Sequence, residues 1–234
     1  MADGQRNRIF LQIGQLLRDL QLRPPEDRDT VLREITGSAA LLVPGAQAAW
    51  ITTATRDGKV ETVSASSSQA AAVDDIQRRA SDGPCLAAAW AHRVMRLDDM
   101  ATEVRWPRFC AEVMTDTSVR SILAFELFAD RHQMGALNFL SEQPRAFDDE
   151  DSVEVGLIMA THAALAWTML ARDKQFRSAL ASRDVIGQAK GMIMERFDID
   201  AVAAFDLLRR LSQNANKTLN AVSEELVRPR SEQP

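Results

Sequence analysis

Between Ser182 and Val227 three helical patterns are packed into fewer than fifty residues, and that density constrains what this end of the chain can fold into. Apolar residues recur at three- and four-residue spacing as Ile186, Ala189, Ile193 and Met194. They do so again as Ala204, Leu207, Leu208 and Leu211, and once more as Leu219, Val222 and Leu226. Asp200 suits the N-cap of the second helix, and Thr218 or Asn216 that of the third. A unit of three short helices has a thin core and is expected to borrow stability from a neighbour.

Length and charge bound the rest. At 234 residues, one large or two small domains fit. A hydrophobic share of 46% beside 26% charged residues is that of an ordinary soluble protein. No apolar run reaches the roughly 18 to 20 residues that span a bilayer, so no membrane partner is expected. MADGQRNR at the start lacks the basic-then-apolar layout of a secretory signal. The two cysteines, Cys85 and Cys110, have no metal-type spacing and suit a reducing cytoplasm. A net charge of -5 argues against a surface that coats nucleic acid as a whole. From Arg177 to Arg228, however, eight basic residues meet seven acidic ones, a local net of +1.

Along the chain, Ile9, Phe10, Ile13, Leu16, Leu17 and Leu20 form an apolar helical stripe that Pro24-Pro25 ends. A second helix is predicted over Asp27 to Leu42, stopped by Pro44-Gly45. Strand signals follow at Ala48 to Ala54 and Val60 to Ser66, around a Thr55-Arg56-Asp57-Gly58 turn. Gln69 to Arg79 is polar and helix-compatible. Ser81 to Cys85 is a turn opening a short helix, and Arg93 to Leu97 a short strand. Trp106 to Met114 is helical, and Ser121 to Phe128 with Met134 to Leu140 make a second hairpin around Asp130-Arg131. After the acidic Phe147-Asp148-Asp149-Glu150, a long helical pattern runs from about Ser152 to Ser182. The expected fold class is α+β, with an antiparallel sheet and flanking helices.

Two stretches carry a family resemblance. IGQAKGMIMER (Ile186 to Arg196), AFDLLRRLS (Ala204 to Ser212) and NKTLNAV (Asn216 to Val222) resemble the ANTAR family of RNA-binding antiterminator modules of bacterial regulators. Ser223 departs from the family pattern, which usually has Ala there. DGPCLAAAW (Asp82 to Trp90), LDDMATEVRWPRF (Leu97 to Phe109), SVRSILAFEL (Ser118 to Leu127) and MGALNFLSEQPRAFDDED (Met134 to Asp151) resemble the GAF domain, a small-molecule and signal-sensing fold. The resemblance implies a GAF-type sheet joined by a long helix to a three-helix ANTAR bundle, as in transcription antiterminators. The expected division is 1–23 N-terminal helix, 24–151 GAF, 152–182 joining helix, 183–228 ANTAR and 229–234 tail.

The joining helix has its own pattern. Val153, Leu157, Ala160, Ala164, Trp167 and Ala171 follow spacings close to a coiled-coil seam, with Ile158, Leu165, Met169 and Phe176 as a second stripe. One reading is a broad face buried within its own domain. The favoured reading packs one stripe on the sheet and the other on a second copy, in a bundle with the Ile9-to-Leu20 helix, so Val153, Leu157, Ala164 and Trp167 are the candidate dimer residues.

No catalytic constellation emerges, and neither an enzyme, a cofactor nor a metal site is expected. His92, His132 and His162 are isolated. GQAKG at Gly187 to Gly191 lacks phosphate-loop spacing and sits within a helix, where its small residues are expected to permit close helix packing. Cys85, at a helix start, is either a thiol activated by the helix dipole or a buried small residue, the second being the expectation. Bilin-attaching GAF proteins carry a histidine next to their cysteine. Here Leu86 follows Cys85, so no chromophore is expected.

The GAF resemblance places Trp50, Cys85, Trp90, Trp106, Phe109 and Phe125 near a cavity for a small-molecule ligand, although each such aromatic is more often plain core than ligand contact. The ANTAR resemblance implies RNA hairpins as partners. Lys190 and Arg196, six residues apart, are read as sharing one helix flank. Arg209 and Arg210 close the second helix, and Asn214, Asn216 and Lys217 crowd the turn after it. Basic groups there supply phosphate attraction, and Asn or Arg can read splayed bases. The implied function is a cytoplasmic, dimeric, signal-responsive antiterminator that binds paired hairpin loops in leader transcripts. The rival is a ligand-sensing scaffold whose C-terminal bundle contacts a regulatory protein.

Overall fold

The structure is a computed structural model that describes residues 9, 11–15, 18, 28–55, 59–91, 94–129 and 133–228, without the side chains of 28, 88–91, 129 and 173–175. Pro24-Pro25, the Arg56-Asp57-Gly58 and Asp130-Arg131 turns, His92, His132 and the tail 229–234 lie outside the described residues. The chain divides into two compact units, Met1–Thr168 and Met169–Pro234.

In the first unit, α1 (Arg28–Leu42) leads into β1 (Ala48–Thr55) and β2 (Val60–Ala65). Next come α2 (Ser68–Ala80), α3 (Pro84–Ala91), β3 (Val94–Leu97), α4 (Pro107–Asp116), β4 (Ser121–Ala129) and β5 (Gln133–Ser141). The strands form one antiparallel sheet in the order β2-β1-β5-β4-β3. Successive strand residues alternate between faces, and here both faces are covered. Ala49, Ile51, Leu123, Phe125, Leu127, Leu137 and Phe139 share a core with Leu32, Ile35 and Ala39 of α1 and with Ile9 and Ile13. Ala48, Trp50, Ile122, Ala124 and Leu140 share the other with α2, α3 and α4. Two glycines fix close approaches. Gly45, at φ +82, turns the chain out of α1, and a Cβ there would lie 2.1 Å from the Ala146 carbonyl oxygen. A Cβ on Gly156 would lie 2.5 Å from the Phe125 ring.

The helix that follows differs from the sequence reading. α5 runs unbroken from Glu150 to Phe197, so the joining segment and the first helix of the C-terminal unit are one element. No glycine or proline geometry interrupts it. Gly187 and Gly191 lie within it, and an added Cβ at either meets nothing within 4 Å. The close packing expected of these glycines is therefore not supplied by any described neighbour.

The two apolar stripes of α5 do not separate as expected either. Val155, Met159, Ala160 and Ala163 are the residues buried in the core below the sheet. Val153, Ala164 and Trp167, read as dimer residues, lean on the same core, and Trp167 stacks on Phe128 at 4.8 Å between ring centroids. Of that group only Leu157 is exposed. A straight helix at 3.6 residues per turn drifts across a 3.5-residue repeat, so one seam cannot face one partner along its length. Leu165, Met169, Phe176 and Leu180 are exposed beyond it. By length and composition α5 could also cross a membrane, but core helices pass that test, and here part of the apolar surface is spent on the sheet.

In the second unit the end of α5, α6 (Ala201–Ala215) and α7 (Leu219–Val227) enclose Ala189, Ile193, Ala204, Leu208 and Val222. Asp200 caps α6 by accepting from the Val202 and Ala203 amides at 2.9 and 2.8 Å. Thr218 caps α7 through the Ala221 amide, while Asn216, at φ 51, closes α6, which assigns the two candidate caps to different helix ends. Ser223, buried where alanine is usual, donates its hydroxyl to the Leu219 carbonyl at 2.8 Å.

Candidate functional site

The face of the sheet covered by α2, α3 and α4 holds a buried polar knot. Asp74 of α2 is 1% exposed. Its carboxylate accepts from Trp50 Nε1 at 2.8 Å, Thr62 Oγ1 at 2.8 Å and Gln77 Nε2 at 3.1 Å. Thr52 Oγ1 lies 2.7 and 2.8 Å from its two oxygens. Burial pushes this carboxyl up from the usual carboxylate range, against the hydrogen bonds of Thr52, Trp50, Thr62 and Gln77, which pull it down. Gln77 is shared, since its Oε1 accepts the Cys85 amide at 3.0 Å. From the strand side, Asn138 Nδ2 donates to Thr52 Oγ1 at 3.0 Å, and its buried Oδ1 has no partner among the described residues.

Around this knot lie the expected sensing residues Trp50, Cys85, Trp106 and Phe109, all in one core cluster with Met95, Met100 and Val113. Pro107 opens α4 directly after Trp106, fixing that indole at the helix start. Arg105 stacks over the Trp106 ring at 4.3 Å and pairs with Glu103. Phe125 does not join them. It sits on the other face of the sheet, edge-on to Phe139 and against Gly156 of α5. The neighbouring strand residue, Ala124, is the one that faces the knot. The side chain of Trp90 lies outside the described residues. Cys85 is 1% exposed, and burial together with the Asp74 charge pushes its thiol well up, the reverse of an activated nucleophile. Burial pushes Cys110 up to about 11.

In the second unit the candidate basic residues fall into two groups. Arg209 pairs with Asp206 at 3.2 Å, and Lys217 with Glu225 at 2.6 Å. Lys190, Arg196 and Arg210 have no carboxylate partner among the described residues. Six residues at about 100° each place Lys190 and Arg196 roughly 120° apart around α5, so they do not share the flank expected of them. α6 runs on to Ala215, so Arg209 and Arg210 do not close it and Asn214 lies in its last turn. Asn214 and Asn216 are exposed, and the Ser212 hydroxyl donates to the Lys217 carbonyl at 2.6 Å across the turn at Asn216.

The family model described as GAF domain matches residues 25–168. The chain belongs to the GAF domain family. A second family model, described as ANTAR domain, matches residues 174–227. The fold agrees. The phytochrome photosensory core module of Stigmatella aurantiaca is 14% identical at TM-score 0.53, over 87% of this chain and 45% of that one. A bacteriophytochrome from the photosynthetic bacterium R. palustris is 12% identical at TM-score 0.52, over 80% and 42%. The phycocyanobilin-bound GAF domain of a cyanobacterial phytochrome is 17% identical at TM-score 0.50, over 74% and 98%. The chain thus spans under half the length of the two larger phytochrome structures, and at these identities the likeness is one of fold. No curated protein matches the chain in sequence.

The GAF and ANTAR matches together describe a regulator with a sensor domain followed by an RNA-binding antitermination domain. The ANTAR match begins at 174, inside α5, so the long helix belongs in part to both domains. Sequence reasoning missed Asp74, Gln77 and Asn138 in the GAF domain. A signal for Asp74 was present: Ala70, Val73, Asp74 and Gln77 recur at three- and four-residue spacing, which puts a carboxylate on the buried face of α2.

Proposed function

We propose that this GAF-ANTAR protein is a cytoplasmic, signal-responsive transcription antiterminator that binds paired hairpin loops in leader transcripts and so prevents a terminator hairpin from forming. The observation that carries the reading is the ANTAR match on a unit where Lys190, Arg196 and Arg210 have no carboxylate partner among the described residues. Unpaired cations attract phosphate without first breaking an ion pair. Arg209 and Lys217, whose exposed ion pairs are weak and exchange readily, complete the proposed RNA surface together with the exposed Asn214 and Asn216. The protein acts by binding, without catalysis or a resident metal. In this reading residues 24–151 sense, 152–182 join and 183–228 bind RNA.

The GAF domain takes a small molecule at the face formed by Trp50, Cys85, Trp106 and Phe109. The buried, unpartnered Asn138 Oδ1 beside Thr52 supports a ligand that donates a hydrogen bond there. Exposed Leu157, Leu165, Met169, Phe176 and Leu180 along α5 support a homodimer, because a row of large apolar residues left in water is unusual. Two ANTAR domains on one dimer gain affinity for a two-loop RNA through effective concentration.

Filter binding with a two-hairpin RNA tests the reading. Lys190→Ala with Arg210→Ala weakens binding, and each lost phosphate contact flattens the log–log salt dependence by somewhat under one unit. Leu157→Glu with Phe176→Glu yields monomers that bind far more weakly. Unchanged affinity in the folded Lys190/Arg210 double variant, or a wild type that stays monomeric at micromolar concentration with and without RNA, contradicts it.

A further inference from the structure

The ANTAR unit builds its core without aromatic rings. Ala189, Ile193, Ala204, Leu208 and Val222 fill it, with Met194, Ile199, Leu207, Leu219, Leu226 and Val227 at its edge. Its two phenylalanines within the helical bundle, Phe197 and Phe205, are 57% and 42% exposed. Each shares a helix flank with a basic residue. Phe205 precedes Arg209 by four residues on α6, and Lys190 precedes Phe197 by seven on α5, so each pair is one or two turns apart on one side. An exposed ring beside a cation is the pairing by which proteins hold single-stranded nucleic acid, with bases stacked on the ring and phosphates drawn to the charge. Unpaired loop bases are the part of an RNA hairpin that such rings can reach.

We propose that Phe205 and Phe197 are stacking platforms for unpaired loop bases, with Arg209 and Lys190 holding the adjoining phosphates. The proposal rests on the RNA-binding reading above and adds to it the contact that selects a loop over a stem. The polar candidates attract any phosphate backbone, whereas the rings engage only bases that are splayed out of a helix. Arg209 is held by Asp206 in the free protein, but the pair is exposed and costs little to exchange for phosphate.

The test uses the full chain and a two-hairpin RNA that the wild type itself selects from a pool with randomised loops. Phe205→Leu and Phe197→Leu keep an apolar side chain and remove the ring. Each is expected to lower affinity about five- to hundredfold per stacked base while leaving the log–log salt slope unchanged. In the same variants, 2-aminopurine at the stacked loop position brightens relative to the wild-type complex. Phe205→Tyr restores affinity, and thermal unfolding confirms that all variants fold. If the wild type binds and the double leucine variant binds equally well, stacking is overturned and the RNA reading stands. A loss of affinity that comes with a flattened salt slope also overturns stacking, because it marks a backbone contact. If the wild type enriches no hairpin RNA from the pool, the RNA reading falls and this proposal with it.

Discussion

In the GAF domain Trp50, Phe109, Phe125, Phe139 and Phe147 are fully buried, whereas Phe176, Phe197 and Phe205 beyond residue 169 are all exposed. The glycines divide less cleanly: an added Cβ at Gly45, Gly135 or Gly156 would strike a neighbour at 2.5 Å or less, whereas Gly187 and Gly191 face open space, as does Gly37 of α1 in the GAF domain. In the first region the buried rings and the three crowded glycines answer to internal packing, so their cost is returned by contacts within the chain. In the second, two glycines weaken a helix by about 0.5–1 kcal/mol each relative to alanine, with no internal contact to offset it. Residues that do nothing for the fold they sit in are the ones to examine for an external partner.

The sharpest way to break this contrast is at Asp74. Asp74→Leu leaves Trp50 Nε1, Thr52, Thr62 and Gln77 facing an apolar group, and unsatisfied buried donors cost about 1–3 kcal/mol each, so a loss of 3 kcal/mol or more is expected in denaturant unfolding. Asp74→Asn isolates the charge. Because the folded-state carboxyl titrates above its ordinary value of 3.8, the folded chain holds the proton more tightly. Its contribution is therefore full below that value and is lost as pH rises through the raised one. The stability advantage of wild type over Asp74→Asn should shrink with rising pH in that window, and an advantage that grows would reverse the assignment. Next in size, Gly156→Val drives a side chain into the Phe125 ring and should cost about 1–3 kcal/mol. The smallest effect has the opposite sign. Gly187→Ala and Gly191→Ala should each stabilise the ANTAR domain by about 0.4–1 kcal/mol, raising its melting temperature, since neither glycine has positive φ and both have room. Destabilisation by either would show that the glycines serve internal packing after all.

Much of this is legible in the sequence. The hairpins, the helix after Pro84 and the three C-terminal patterns follow from period and punctuation, and the motif resemblances located both domains. Three features are not. The continuity of α5 is one, because nothing in local spacing distinguishes a helix that restarts near Ser182 from one that never stopped. Phe125 was placed with the sensing residues because motif membership says which loop or strand a residue joins, while one step along a strand decides its face. The Asp74 knot is assembled from β1, β2 and α2, and only the carboxylate on a buried helix face left a trace in the sequence. The unpaired state of Lys190 and Arg210 against the paired Arg209 and Lys217 depends on rotamers and neighbouring turns that spacing does not carry.

The most direct test of the central claim is to sequence the RNA crosslinked to this protein in its native cell, beside a Lys190→Ala, Arg210→Ala, Phe205→Leu variant of equal abundance. Enriched fragments that carry two adjacent hairpins upstream of a terminator are expected from the wild type, and their loss from the variant. Equal recovery by both proteins, or enrichment of no structured leader by the wild type, would contradict that claim.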